Sequence, residues 1–272
     1  MKIILVATDF SASAHNASLY ALSLAKEIDA RIILFNAYKV PQPAPSVNVG
    51  ISSYDIMMQT DRKLLDEADI LDQSGKIIEI VCDEGIAEEA IVNIAHEKKV
   101  DLIVCGMNGE NKNLKRIFGT TASALAKISK VPVIIIPENA EFKKTDVLVF
   151  ATENIEKEIL ARLKELARSL HSKMYRIKIV RNETVFQENG EHVILKGQPG
   201  SSNMPERSTT LEYFVDDDIT SSLNEFINLK HADMVAMIPH KHGWLERIFM
   251  KSETKEMIFH THIPLLILPE NT

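Results

Sequence analysis

Three spaced glycines followed by two threonines are the residues of this chain best suited to hold a charged ligand. They are Gly106, Gly109 and Gly119, with Thr120 and Thr121 next in the sequence. Only glycine adopts positive φ cheaply or lets a backbone approach a ligand closely, so this pattern indicates a cradle of main-chain N–H groups. A helix starting at Gly119 would add the positive end of its dipole. The pattern therefore favours phosphate binding.

A carboxylate stands where it could hold the sugar of a nucleotide. Asp9 ends the apolar run that begins at Lys2, and there it could accept hydrogen bonds from ribose hydroxyls. The alternative is that Asp9 caps the helix that follows it, which is a common use of aspartate. The glycines could instead simply mark the end of a strand, and the threonines the start of a helix. Met107 and Asn108 lie between the first two glycines, and Asn108 could donate a hydrogen bond.

The spacing Gly106-x2-Gly109-x9-Gly119-Thr120 resembles the nucleotide-binding signature of the universal stress protein family, in its ATP-binding branch. The strand and turn ILVATDFS and the closing strand VPVIIIP are also similar to that family. The resemblance implies ATP as the ligand, with or without Mg²⁺. It further implies that Ala7, Thr8 and Phe10 form the adenosine wall and that Ala37 contacts adenine. This chain departs from the family at Ala37, often valine, and at Asn108, often histidine.

Short apolar runs alternate with helical patterns in the first half of the chain, and the plan then repeats. The clearest repeats are LKRIF with LERIF and VPVIIIPEN with IPLLILPEN. Continuously apolar strands separated by helices predict an α/β fold with a parallel sheet covered on both faces. The resemblance implies two tandem Rossmann-like domains, similar to adenine nucleotide alpha hydrolases, each a five-stranded parallel sheet of order 3-2-1-4-5. The predicted boundaries are 1–139 and 145–272.

The second copy has lost the residues that would hold a nucleotide. In the second copy Glu153 replaces Asp9, and Ile238-Pro239 replaces Gly106-Met107. Met250-Lys251-Ser252 replaces Gly119-Thr120-Thr121. This predicts a degenerate domain that binds no ATP. An Asn-Gly turn between alternating runs at 185–195 predicts an inserted β-hairpin. Two His-x-His pairs, at 240–242 and 260–262, lie on opposite rims of the predicted sheet, which disfavours a shared zinc site.

Charge and hydropathy exclude some functional classes. The net charge of −7 gives no basic surface for a nucleic acid, and no apolar run approaches the length of a membrane helix. Cys82 and Cys105 each end an apolar run, so free thiols are favoured over a disulfide or metal pair. The predicted compartment is the cytoplasm.

The last strand of each copy is an apolar edge that needs cover. We expect residues 131–136 and 263–268 to pair within one chain as a pseudo-dimer; a homodimer of the whole chain and an unidentified protein partner are further options. The first functional hypothesis is a stress-response or regulatory factor that binds ATP and is not an enzyme, with slow hydrolysis left open. The others are an ATP-dependent nucleotidyl transferase or slow ATPase of related fold, and an interaction module with an empty loop.

Overall fold

The computed structural model describes residues 2–40, 52–71, 77–109, 118–152, 157–180, 192–194, 211–215, 219–238 and 262–269. The chain divides into two compact units, Met1–Phe142 and Lys143–Glu270. Among the described residues, strands and helices alternate in the first unit. Its elements are β1 (Lys2–Ala7), α1 (Ala12–Glu27), β2 (Ala30–Tyr38), α2 (Ser53–Leu71), β3 (Ile77–Glu84), α3 (Ala87–Glu97), β4 (Leu102–Gly106), α4 (Thr120–Ile128) and β5 (Val133–Ile136).

The strands of the first unit form a parallel sheet of order β3-β2-β1-β4-β5. This confirms the predicted α/β class and strand order. The order reverses at β1, which pairs with β2 on one side and with β4 on the other. In open parallel sheets, ligands bind beyond the carboxyl ends of the strands at such a reversal. We therefore expect a ligand site at the residues that follow β1, β2 and β4.

The core of the first unit consists of strand residues that are buried on both faces of the sheet. Ile4, Leu5 and Phe35 are fully buried, and so is most of β5. Helix α1 packs against these strands through a stripe of small side chains, Ala14, Ala17, Ala21 and Ala25. Small residues let the helix backbone come close to the sheet, which brings the first turn of α1 near the end of β4.

The second unit repeats part of this alternation, with three strands in succession after α5 among the described residues. Its described elements are β6 (Val147–Thr152), α5 (Lys157–Ser169), β7 (Lys173–Val180), β8 (His192–Ile194), β9 (Leu211–Val215), α6 (Ile219–Lys230), β10 (Met234–Met237) and β11 (Leu265–Ile267). They form a parallel sheet of order β11-β10-β6-β7-β9-β8. Five strands were expected in this sheet, and the residues that the structure describes form six. Strand β8 lies within the predicted hairpin and pairs in parallel with β9, which is outside it. The other arm of the predicted hairpin lies outside the described residues, so the hairpin stays a prediction.

In each unit, one aspartate forms the same pair of hydrogen bonds with a residue at the start of the first strand. Asp101, just before β4, accepts a hydrogen bond from Ile3 N at 2.8 Å, and its own N–H donates to Ile3 O. Asp233, just before β10, accepts from Val147 N at 2.9 Å and donates to Val147 O. The two contacts align Ile3 with Val147 and Asp101 with Asp233. This alignment fixes which residues of the two units occupy equivalent positions.

Candidate functional site

A cavity of about 570 Å³ lies at the carboxyl ends of β1, β2 and β4. Its volume is within the range of small-molecule sites. Eleven of the twelve residues predicted for nucleotide binding line it. They are Ala7, Thr8, Asp9, Ala37, Gly106, Met107, Asn108, Gly109, Gly119, Thr120 and Thr121. The twelfth, Phe10, is not among the lining residues; its ring faces Lys63 of α2, with Lys63 Nζ 5.5 Å from the ring centre.

Asp9 is exposed in the turn between β1 and α1. Its Oδ1 accepts a hydrogen bond from Ser11 N at 3.1 Å. The helix cap is Ser11 instead, because Ser11 Oγ accepts from Ala14 N at 3.2 Å in the first turn of α1. The alternative that Asp9 caps α1 is therefore wrong. Phe10 between them has a φ of 63°, a left-handed conformation that turns the chain sharply after Asp9.

Two of the three glycines of the cavity, Gly106 and Gly109, are required for space, and none of the three has a φ in the left-handed range. A Cβ atom at Gly106 would lie 2.7 Å from Ser13 Oγ and 2.9 Å from Ser13 O, in the first turn of α1. A Cβ atom at Gly109 would lie 2.5 Å from Asp9 Oδ2. At Gly119 the nearest atom would be Met107 O at 3.4 Å, an ordinary contact. Gly106, at the end of β4, thus allows α1 to approach the strand, and Gly109 allows Asp9 to approach the loop that follows.

The amino terminus of α4 faces the cavity through Thr120 and Thr121. Gly119 is the N-cap residue and has no side chain to cover the first turn, in which there is no acidic residue. Gly119 N donates to Met107 O at 2.7 Å, which holds this helix end against the loop after β4. Uncapped N–H groups and the helix dipole favour an anion there. Residues 110–117, which include Lys112, Lys115 and Arg116, lie outside the described residues.

The other end of the cavity is more apolar. It is lined by Phe35, Asn36 and Ala37 at the end of β2 and by Ala87 and Ile91 of α3. Asn36 is 8% exposed, and its Nδ2 donates to Thr8 O at 2.7 Å. The sequence reasoning missed every one of these residues except Ala37. The available signal was Asn36 itself, an amide within an otherwise apolar strand.

Both cysteines are free thiols, as expected. Burial raises the pKa of Cys105, a cavity-lining residue, to about 12. Burial raises the pKa of half-buried Cys82 to about 12 as well, helped by a hydrogen bond from its Sγ to Asp61 Oδ1 at 3.0 Å. Both thiols therefore stay protonated near neutral pH, and neither is an activated nucleophile.

The second unit carries a bulky residue at the position equivalent to Gly106. Gly106 is five residues after Asp101, and Ile238 is five residues after Asp233. Ile238 is 1% exposed, so its side chain occupies the interior at the strand end. The other substitutions, at Glu153, Pro239 and residues 250–252, lie outside the described residues. So do His240, His242 and His260, whereas His262 is described and exposed.

The part of the chain that the structure describes holds no group of three or more His, Cys, Asp or Glu side chains that could bind a metal ion. None of the helices in that part combines the length and the apolar character needed to cross a membrane.

Comparison with known proteins agrees with this architecture. The chain is similar to the stress response protein NhaX of Bacillus subtilis (strain 168), with 27% identity covering 49% of this chain and 96% of that protein. It is 28% identical to the universal stress protein MJ0531 of Methanocaldococcus jannaschii, with coverage of 50% and 81%. A crystal structure of a universal stress protein from Archaeoglobus fulgidus DSM 4304 matches 98% of this chain and 96% of its own, with a TM-score of 0.68 and 14% identity, which shows the fold of the whole chain. The model of the universal stress protein family matches residues 1–137, half of the sequence. The chain belongs to the universal stress protein family.

Proposed function

We propose that the first unit binds ATP in the cavity at the ends of β1, β2 and β4, and that the protein acts as a stress-response or regulatory factor. The observation that carries the proposal is the cavity wall in which Asp9, the three glycines and the amino terminus of α4 come together. Bare backbone is needed on this wall, because a Cβ atom at Gly109 would meet Asp9 and one at Gly106 would meet Ser13 of α1. The proposed roles follow the order of the strands, with the base at β2, the ribose at Asp9 and the phosphates at Gly106–Gly109 and Gly119–Thr121.

The chemistry of the lining supports a phosphate at the α4 end. The free N–H groups of Thr120 and Thr121 and their hydroxyls are donors, and phosphate oxygens are acceptors only. A Mg²⁺ ion would be held mainly by the phosphates, because Mg²⁺ usually keeps water and phosphate ligands. The carboxylate of Asp9 and the hydroxyl oxygens of Thr120 and Thr121 are of the type that Mg²⁺ prefers.

The proposal is for binding and signalling rather than rapid catalysis. The two thiols are kept protonated, one of them inside the cavity wall. Within the described residues, the carboxylate that lines the cavity is Asp9, whose Oδ1 is engaged by Ser11 N. A regulatory factor would use the occupied and empty cavity as its two states. The second unit, with Ile238 in the place of Gly106, is proposed as a degenerate copy that binds no nucleotide.

Nucleotide released by denaturing protein purified without added ATP tests the proposal directly. Mass spectrometry should detect an adenine nucleotide at up to one per chain. Gly119→Met should remove it, because the Cβ atom fits at 3.4 Å while the rest of the side chain enters the phosphate end. Gly85→Met is the matched control, since a Cβ atom there meets nothing within 4 Å. If Gly119→Met binds ATP as tightly as the native chain in calorimetry, the assignment of the cavity is wrong.

A further inference from the structure

Asn36 is a buried amide with one of its two polar atoms still available to a ligand. Its Nδ2 donates to Thr8 O, which identifies the nitrogen because a carbonyl oxygen only accepts. Its Oδ1 accepts no hydrogen bond from any residue that the structure describes, and the side chain is a lining residue of the cavity. We propose that Asn36 is a specificity-determining residue, whose Oδ1 selects a nucleobase that carries an exocyclic amino group. This inference rests on the proposed function.

The strand order places Asn36 at the base end of a bound nucleotide. Asn36 is on β2, Asp9 follows β1, and Gly106 ends β4, so the three residues stand on adjacent strands. Neighbouring strands are about 4.8 Å apart, and β2 is therefore roughly 10 Å from β4. That span suits a nucleotide with its phosphates at β4 and α4. The apolar neighbours Phe35, Ala87 and Ile91 suit the faces of a base.

The orientation of the amide decides which base it favours. Because Thr8 O holds Nδ2, the group can present Oδ1 to a ligand without losing its own hydrogen bond. A buried acceptor that finds no donor costs free energy, and an amino group of the base removes that cost. A base without the amino group leaves Oδ1 unpaired. An amide free to rotate would have accepted either kind of base, so the contact with Thr8 is what produces the selectivity.

The test compares ATP with purine riboside 5′-triphosphate, which differs from ATP only by loss of the 6-amino group. Calorimetry on the full-length chain should show about tenfold weaker binding of the analogue, the equivalent of one hydrogen bond. In Asn36→Leu, this ratio of dissociation constants should fall to about 1. If Asn36 has only a structural role, Asn36→Leu should weaken the binding of both nucleotides equally and leave the ratio unchanged.

Asn16→Leu is the matched control. Asn16 Nδ2 donates to Pro137 O and Ala140 O, and Asn16 is not a lining residue of the cavity. This variant should keep the native ratio even if it is less stable. A native ratio near 1, or a ratio of ten that persists in Asn36→Leu, would overturn the inference while ATP binding stands. Failure of ATP itself to bind would overturn the proposed function and this inference together.

Discussion

Asp9 and Gly109 lie so close together in the wall of the cavity that a Cβ atom on residue 109 would be 2.5 Å from Asp9 Oδ2. The other carboxylate oxygen, Oδ1, accepts from Ser11 N at 3.1 Å. The carboxylate is thus held between the start of α1 and the bare backbone of the loop after β4. Any side chain at residue 109 must displace it.

Gly109→Ala should therefore weaken ATP binding through Asp9 rather than through a direct clash with the ligand. We expect about a tenfold loss of affinity, the size of a lost charged hydrogen bond. The cost in the free energy of unfolding should stay below about 1 kcal/mol, because the displaced group is the end of an exposed side chain. Calorimetry measures the affinity, and urea denaturation measures the stability.

A double-mutant cycle separates this mechanism from a direct clash. In an Asp9→Ala background the Cβ atom at residue 109 meets no carboxylate, so Gly109→Ala should cost little further affinity. A full tenfold loss in that background would contradict the mechanism. Gly85→Ala serves as the control, since nothing lies within 4 Å of its added Cβ atom.

Gly106→Ala should reduce stability, in contrast to Gly109→Ala. Its Cβ atom would lie 2.9 Å from Ser13 O and 3.0 Å from Ser13 C, which are backbone atoms of α1. Backbone cannot rotate away as a side chain can, so we expect a loss of about 1–3 kcal/mol in the free energy of unfolding. Gly119→Ala, with its nearest contact at 3.4 Å, should cost less than about 1 kcal/mol. Equal losses for the two variants in urea denaturation would contradict this packing argument.

The sequence predicted the elements well where the signal is local. Helix α3 has the bounds predicted from its pattern, Ala87–Glu97, and α4 begins directly after Gly119 as expected. Continuous apolar runs between helical patterns are enough to predict a parallel sheet. The strand order came from the family resemblance, because periodicity alone does not say which strands are neighbours.

The reasons for the site residues could not be read from local patterns. The sequence suggested backbone freedom for the glycines, whereas none of the described glycines has a φ in the left-handed range. Gly106 is needed because of Ser13, and Asn36 reaches Thr8, which are contacts between distant parts of the chain. Asp9 and Ser11 are both good helix caps by type, so only the geometry assigns the cap to Ser11.

Cys105 should make the protein less stable in alkali. Burial raises the pKa of its thiol to about 12, from 9.0 in the unfolded chain. Between these two pH values the unfolded state releases the proton while the folded state keeps it, so the unfolded state binds fewer protons. The free energy of unfolding must then fall as pH rises above 9, by at most about 1.4 kcal/mol per pH unit for this one group.

Replacing the thiol isolates its share of the alkaline effect. Other groups that ionise in alkali are common to the native chain and to Cys105→Ala, so their effect cancels in the comparison. We expect Cys105→Ala to be less stable at pH 8, because it leaves a small cavity at a fully buried position. Its disadvantage should shrink as the pH approaches 10.5, since it has no buried thiol to keep protonated. Urea denaturation at both pH values measures the free energy of unfolding of the native chain and of the variant. If the difference between the two proteins is the same at both pH values, burial does not raise the pKa of Cys105.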